Sequence, residues 1–217
     1  MKPTRTLLLA TVAALTLLAP LARAAAPTLV VQTGGKLWLE GTSTIHEYKS
    51  DASKLTIAMH EDATKWPADK TGVDAIQGLI LSNGVLGMDV VVGVTGLHSG
   101  KDGLDKNMYK SLKAEKNPEI KFHLGGYTAA AVENGSKIEA KGKLTIAGVE
   151  REVPITVTAL KEGSNVRFKG TVPLLMTQYG ITPPKMMLGT LKVADAVTVS
   201  FDFAVGAKAD GAMSSAQ

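Results

Sequence analysis

Alternation of apolar and polar residues with a period of two is the feature that most constrains this chain. In the stretch KLTIAGVEREVPITVTA, residues 143–159, most apolar side chains occupy every second position on either side of a short Gly-containing turn. Because successive side chains of a β-strand point to opposite faces, this spacing predicts an antiparallel hairpin with one apolar and one polar face. Several such hairpins would have to bury their apolar faces against one another.

The same spacing recurs in eight segments of the chain. These segments are 37–39, 55–59, 88–94, 120–124, 138–146, 153–159, 166–174 and 197–205. Asn83-Gly84 and Asn134-Gly135 are strong turn signals between them, since Asn-Gly favours the positive φ angles of tight hairpin turns. An open sheet of so many strands would leave two unpaired edges, and closure into a barrel removes them. The pattern favours an antiparallel barrel, with a two-sheet sandwich as the alternative.

One stretch departs from this period. In DGLDKNMYKSLKAEKNP, residues 102–118, Leu104, Met108 and Leu112 recur at every fourth position. This spacing predicts one amphipathic helix of about three turns that ends before Pro118. Residues 179–196 contain two consecutive prolines, and we expect a long loop or a short helix there before the last strand.

The first 24 residues have the layout of a secretory signal peptide. Lys2 and Arg5 precede a long apolar run that ends in the small-residue sites Ala22-Arg23-Ala24 and Ala25-Ala26, so cleavage is expected after residue 24 or 26. The mature domain is then expected to cover 27–206 and to be followed by a flexible tail, 207–217. A protein with this leader is expected to be periplasmic or secreted.

Charge and composition argue against several functions. Without the leader the chain carries 21 basic and 20 acidic side chains, so no strong overall field attracts nucleic acid. The absence of cysteine excludes disulfides, zinc–thiolate sites and thiol catalysis. His60 and His98 have no second histidine at a metal-binding spacing, and Ser99 lies in no nucleophile motif. The sequence therefore predicts no metal site and no catalytic residue.

Four segments together resemble the YceI-like family of exported lipid-binding proteins. They are GKLWLEGTSTIHEYKSDASKL, DGLDKNMYKSLKAEKNPEIKF, GKLTIAGVEREVPITV and YGITPPKMMLGTLKVADAVTVSF, which occur in this order over nearly the whole mature chain. The resemblance implies an all-β fold, an eight-stranded antiparallel lipocalin-like β-barrel with one amphipathic helix near its mouth. It also implies an apolar tunnel for a long-chain lipid, such as an isoprenoid quinone or a polyisoprenoid.

This chain departs from the family pattern at one point. Members with an Arg-Asp-x-His-Leu type of segment before the Pro-x-Ile-x-Phe step differ from the KDGLDKNM found here at residues 101–108. A head-group contact from that histidine or arginine is therefore not carried over. The resemblance also places a histidine near His46 without implying its role.

Ligand-binding candidates are the residues expected on the inner face of the barrel and around its mouth. They are Trp38, Met108, Tyr109, Leu112, Leu144, Ile146, Ile155, Phe168, Tyr179, Met186, Met187 and Leu188. The methionines suit ligands of varied shape, and the two tyrosines offer hydroxyls to a polar head group. Trp38 lines the tunnel only if its neighbours Leu37 and Leu39 face outward. For the rim residues the alternative role is ordinary capping of the core.

Three glycines, Gly78, Gly142 and Gly170, are expected on the inner face, and few aromatic residues are available to fill the space beside them. This favours a cavity, because an eight-stranded barrel is either filled by its own side chains or holds one small ligand.

The sequence thus predicts a periplasmic carrier or sequestering protein for an apolar chain, which is not an enzyme. No cofactor is expected other than an isoprenoid lipid bound as ligand, and a membrane redox protein is a candidate partner. Two alternatives remain: a packed barrel that serves as a structural or interaction module through its outer face or late loop, and an enzyme that acts on a lipid or quinone.

Overall fold

The computed structural model describes residues 26–186 and 191–208, which form one antiparallel sheet and two α-helices. The strands are β1 (Thr28–Val31), β2 (Lys36–Ser43), β3 (Glu47–Ala52), β4 (Leu55–Glu61), β5 (Val85–Gly93), β6 (Leu97–His98), β7 (Glu119–Val132), β8 (Gly135–Ile146), β9 (Val149–Glu162), β10 (Asn165–Leu175), β11 (Lys185–Met186) and β12 (Leu191–Lys208). The helices are α1 (Gly72–Leu81) and α2 (Asp102–Ser111). Among the described residues, neither helix is long and apolar enough to cross a membrane.

The sheet curls into a barrel, and strands near its two ends are consecutive in the sequence. Its strand order is β4-β5-β7-β8-β9-β10-β12-β2-β3-β6, while β1 and β11 pair with β12 outside this path. Only Ser53 and Lys54 separate β3, near one end of the order, from β4 at the other. Their backbones bond to the β5–β6 segment, from Ser53 N to Gly96 O at 2.8 Å and from Gly93 N to Lys54 O at 3.1 Å. The all-β, lipocalin-like barrel predicted from the sequence is confirmed.

Each of the eight predicted strands corresponds to an observed one, namely β2, β4, β5, β7, β8, β9, β10 and β12. The strand count differs because β1, β3, β6 and β11 were not predicted. In β3 the inward positions are Tyr48, Ser50 and Ala52, which are polar or small and give no alternating apolar signal. The strands that sequence reasoning identifies are those whose inner faces are aliphatic.

Helix α1 was also not predicted, and it closes one end of the barrel. Ala75, Ile76, Gln77, Leu79 and Ile80 are all buried. The Gln77 side chain donates from Nε2 to the carbonyl oxygen of Ala159 at 3.1 Å, which ties the helix to β9. The expectation of a single helix is therefore wrong. We call this end of the barrel the closed end.

The predicted role of the three glycines is wrong as well. Gly78 lies in α1 rather than on a strand, where an added Cβ would approach Cγ of Pro67 at 2.8 Å. An added Cβ on Gly142 or Gly170 would collide with the ring of Phe122 or Phe201, respectively. Aromatic rings on neighbouring strands thus cover the glycine backbones, and these glycines leave no empty space.

Two element boundaries differ from the predicted ones. Helix α2 ends at Ser111, well before Pro118, because the chain turns at Lys113, which adopts a φ of +55°. Strand β12 continues to Lys208 and so includes the first two residues of the predicted tail. The predicted signal peptide and the rest of that tail lie outside the described residues.

Candidate ligand-binding site

The barrel encloses a cavity of about 350 Å³. Inward-facing side chains of the strands form its wall, and they are almost all aliphatic or aromatic, as at Leu39, Ile57, Val90, Val157 and Val199. Helix α1 blocks the cavity at the closed end, where Ile76 and Leu79 have no exposed surface. At the opposite end the lining comes from α2, the β2–β3 turn, Ile181 and Pro184, and the first residues of β12. We call this second end the mouth.

Seven of the twelve candidate residues line this cavity. They are Met108, Leu112, Leu144, Ile146, Ile155, Phe168 and Tyr179. Phe168 stacks on Phe203 with ring centroids 5.3 Å apart and an interplanar angle of 9°. The structure therefore brings together the candidates on β8, β9 and β10 with those near the mouth.

Trp38 and Tyr109 do not line the cavity. Leu37 and Leu39 face inward, so Trp38 lies on the outer surface, with Lys49 Nζ 5.0 Å from its ring centroid. The placement of Trp38 in the tunnel is therefore wrong. Tyr109 donates its hydroxyl to the carbonyl oxygen of Leu97 at 2.7 Å and so attaches α2 to β6. Burial, followed by the nearby carboxylates of Asp105 and Asp102, raises the pKa of Tyr109.

The late-loop candidates are only partly described. Met186 belongs to the two-residue strand β11, which pairs with the start of β12. Met187 and Leu188 lie outside the described residues.

Two tyrosines that sequence reasoning missed, Tyr48 and Tyr127, also line the cavity. Tyr127 donates its hydroxyl to the carbonyl oxygen of Ile80 at 3.0 Å and accepts from the Val85 amide at 3.2 Å. The alternation of β7 would place Tyr127 outside, but an irregularity in the pairing between Leu124 and Gly126 shifts it inward. The Gly125-Gly126 pair was the available signal for this bulge.

Phenol groups in the cavity wall remain neutral at physiological pH. Burial raises the pKa of Tyr48, Tyr127 and Tyr179 above the ordinary tyrosine value. Tyr179 is 1% exposed, and its hydroxyl makes no hydrogen bond within the described part of the chain. Its burial effect is opposed by the positive charge of Arg151. The wall therefore carries hydroxyl groups but no ionised side chain at these positions.

Helix α2 covers the mouth and is held much less firmly than α1. Its apolar face, Leu104, Met108 and Leu112, is directed at the cavity but only half-buried. Asp105 is the one buried residue of α2. Its Oδ1 accepts hydrogen bonds from the amide of Ser99 at 2.8 Å and from the Ser99 hydroxyl at 2.5 Å. Polar contacts from one side chain thus contribute much of the attachment of this helix.

Replacing Asp105 by asparagine is expected to loosen α2. Burial alone disfavours the ionised carboxylate, but the bonds from Ser99 and the nearby imidazole of His98 outweigh it, and the pKa of Asp105 lies below its usual value. A hydrogen bond to a charged group stabilises by roughly 1.5–3 kcal/mol, so we expect amide exchange in α2 to accelerate on the order of tenfold in Asp105→Asn.

The same measurement gives a pH dependence. Because the folded-state pKa is lowered, the contribution of Asp105 is complete above the ordinary carboxyl pKa and disappears as the pH falls through the lowered value. Protection of α2 should therefore stay constant near neutrality and weaken only in acid. The matched control is Asp102→Asn, an exposed carboxylate in the same helix, and equal acceleration in both variants would contradict the role of Asp105.

The histidines of the barrel wall lie outside the cavity. Asp89 on β5 accepts from His123 Nδ1 at 2.7 Å and lies 3.3 Å from His60 Nε2, all on the exposed outer face. The bond from His123 is the main reason why the pKa of Asp89 is lowered. Within residues 26–186 and 191–208, no group of three or more His, Asp or Glu side chains is arranged to hold a metal ion.

Comparison with known proteins gives one family and a set of solved structures. The model of the YceI-like domain matches residues 37–205. A search of curated proteins finds no significant match.

Three solved structures share the fold. BcnA of Burkholderia cenocepacia superposes with a TM-score of 0.60 at 19% identity, over 78% of this chain and 95% of BcnA. A polyisoprenoid-binding domain of Saccharophagus degradans gives 0.56 at 11% identity, over 85% of this chain and 99% of that domain. The YceI protein of Campylobacter jejuni gives 0.53 at 14% identity, over 74% of this chain and 85% of its own.

Proposed function

This chain belongs to the YceI-like family, and on that basis we propose that it is an exported carrier or sequestering protein for a long-chain apolar lipid. An isoprenoid quinone or a polyisoprenoid is the kind of ligand proposed, held in the barrel interior. The leader-like residues 1–24 support export to the periplasm or beyond. The solved relative from Saccharophagus degradans, a polyisoprenoid-binding domain, supports the proposed ligand class.

The observation that carries this proposal is the apolar cavity of about 350 Å³ with one blocked end. Ligand pockets typically measure about 300–1,000 Å³ and are lined mainly by apolar side chains. A barrel packed solid by its own residues, which was the alternative, would have no such space. The polar residues that line the cavity are hydroxyl-bearing side chains, Asn107, His46 and the solvent-exposed Lys36. This lining suits binding of a neutral lipid better than acid–base catalysis.

Burial of the chain is sufficient to account for binding. Each buried methylene contributes about 0.8 kcal/mol, so ten carbons supply roughly 8 kcal/mol before the several kcal/mol lost to association. A net value of about 8 kcal/mol corresponds to micromolar affinity. A chain of more than ten carbons therefore reaches this affinity without any charged partner in the wall.

A series of isoprenoid alcohols of increasing length tests the proposal. Affinity measured by calorimetry should rise on the order of tenfold for every two methylene-sized groups, until the chain outgrows the cavity. Mass spectrometry of lipid extracted from natively purified protein should find one apolar class bound. Affinity that is independent of chain length, together with an empty native protein, would contradict the proposal.

A further inference from the structure

We propose that the mouth is a docking surface for an anionic phospholipid bilayer. The surface consists of α2 with the turn that follows it, the β2–β3 turn at residues 43–46, β11 and the start of β12. This inference rests on the proposed function, because it states where the lipid ligand enters and leaves. The distribution of charge, the shape of the β2–β3 turn and the position of the cavity support docking at this surface.

Positive charge is concentrated at the mouth. Residues 101–118, 176–186 and 191–195 carry seven lysines against four acidic side chains, including Asp195, which accepts hydrogen bonds from Thr177. The rest of the chain after residue 24 carries fourteen basic and sixteen acidic side chains. The net charge of the chain after residue 24 is therefore near zero, although the mouth is positive and the remainder is negative. Such a distribution orients a protein toward a negatively charged surface.

The mouth lysines are also exposed and lack acidic partners. They are Lys101, Lys106, Lys110, Lys113, Lys116, Lys185 and Lys192, and none forms an ion pair within the described residues. Lys113 donates to the carbonyl oxygen of Gly180 instead. On the barrel wall, by contrast, Lys121, Lys137 and Lys143 each pair with a glutamate. The charge at the mouth thus remains available to phosphate groups.

An apolar side chain projects from the same end. Ile45 is 60% exposed at the tip of the β2–β3 turn. The turn is held by the Ser43 hydroxyl, which donates to the His46 carbonyl at 2.8 Å and accepts from the amides of Ile45 and His46 at 3.3 and 3.2 Å. Ser43 and His46 themselves line the cavity. Ile45 is therefore held outward beside the entrance, where it would enter the interfacial region of a bilayer.

Helix α2 connects this surface to the cavity. Its half-buried face, Leu104, Met108 and Leu112, is directed at the ligand space, while Lys106 and Lys110 point to solvent. Contact of these lysines with head groups would place the loosely held helix directly between the bilayer and the cavity. A lipid chain could then pass between them without crossing water.

Sedimentation with vesicles tests the docking surface. The purified chain should bind vesicles of mixed phosphatidylcholine and phosphatidylglycerol, and binding should weaken with salt, but it should not bind phosphatidylcholine alone. Replacing Lys106, Lys110 and Lys192 by glutamine should weaken binding roughly fivefold for each lysine, or on the order of a hundredfold in the triple variant. Equal binding of the triple variant and the wild type would overturn the proposal.

A matched control separates location from total charge. The triple variant Lys70→Gln, Lys141→Gln, Lys208→Gln removes the same charge from exposed lysines outside the mouth and should retain binding. In the same assay Ile45→Ser should weaken binding on the order of tenfold, whereas Leu86→Ser, which removes a 65% exposed leucine from β5, should not. Equal losses in the mouth variants and their controls would also overturn the proposal.

Uptake of lipid in the absence of vesicles tests the proposed function separately from membrane docking. All variants should take up a polyprenol added from ethanol as the wild type does. Normal uptake from ethanol with no binding of wild type to anionic vesicles would overturn docking and leave the proposed function intact. Failure of the wild type to take up polyprenol by either route would contradict both.

Discussion

Replacing Ala140 by phenylalanine is expected to abolish ligand binding while the barrel remains folded. Ala140 lies in the middle of β8, is 8% exposed and lines the cavity. A phenyl ring there would occupy the space of about five methylenes of the ligand, or roughly 4 kcal/mol of burial, which is about a thousandfold in affinity. Because the ring enters existing space, we expect unfolding stability to change by less than the 1–3 kcal/mol typical of overpacked cores.

Calorimetry with a polyprenol and thermal unfolding together check this prediction. The matched control is Ala130→Phe, an exposed alanine on the outer face of β7, which should bind the lipid normally. If Ala140→Phe bound the lipid as tightly as the wild type, the ligand would not occupy the barrel interior.

Truncating Ile76 to alanine is expected to cause the largest loss of stability among changes in the helices. Ile76 has no exposed surface and packs at the closed end with Ile80, Leu124, Ile138 and Phe203. Large-to-small substitutions of this kind destabilise by about 2–5 kcal/mol, because they remove buried surface and leave a cavity. Such a loss is a substantial part of the roughly 5–15 kcal/mol that stabilises a typical domain.

Denaturant unfolding of Ile76→Ala beside Leu81→Ala checks the role of α1. Leu81 ends the same helix, is 39% exposed and should lose about 1 kcal/mol or less when truncated. Similar losses in the two variants would show that α1 does not close the barrel as the structure indicates.

Strands could be predicted from the sequence wherever burial of one face left an apolar alternation. β8 and β9 are clear examples, because Ile138, Leu144 and Val157 alternate with charged or hydroxyl side chains. Helix α1 lacked such a signal because Gly72, Gly78 and Leu81 are among its less buried positions, so few polar side chains mark the face opposite to the buried one. The sequence therefore did not predict that one end of the barrel is blocked.

The direction of individual side chains was harder to predict. Leu37, Trp38 and Leu39 are consecutive and all apolar, and only the flanking Lys36 and Glu40, which share the phase of Trp38, indicate that Trp38 faces outward. In the structure Trp38 pairs in register with Ser200 and Asp51 on the outer face, where Lys49 lies over its ring. Tyr127 faces the cavity because of a bulge in β7, and an alternation with a period of two does not take a bulge into account. Both directions had only weak local signals, and the pairing with neighbouring strands shows them clearly.

The two helices differ in how firmly they close the barrel, and this asymmetry limits how cargo moves. Because α1 blocks one end, a lipid chain that enters through the mouth must also leave through the mouth. The end of the lipid that enters last is then the end that leaves first. The lipid donor and the lipid acceptor would then have to use the same opening, so the barrel could not exchange lipid with both at the same time. If the protein carries lipid as proposed, it has to detach from the donor before it can deliver the lipid to the acceptor.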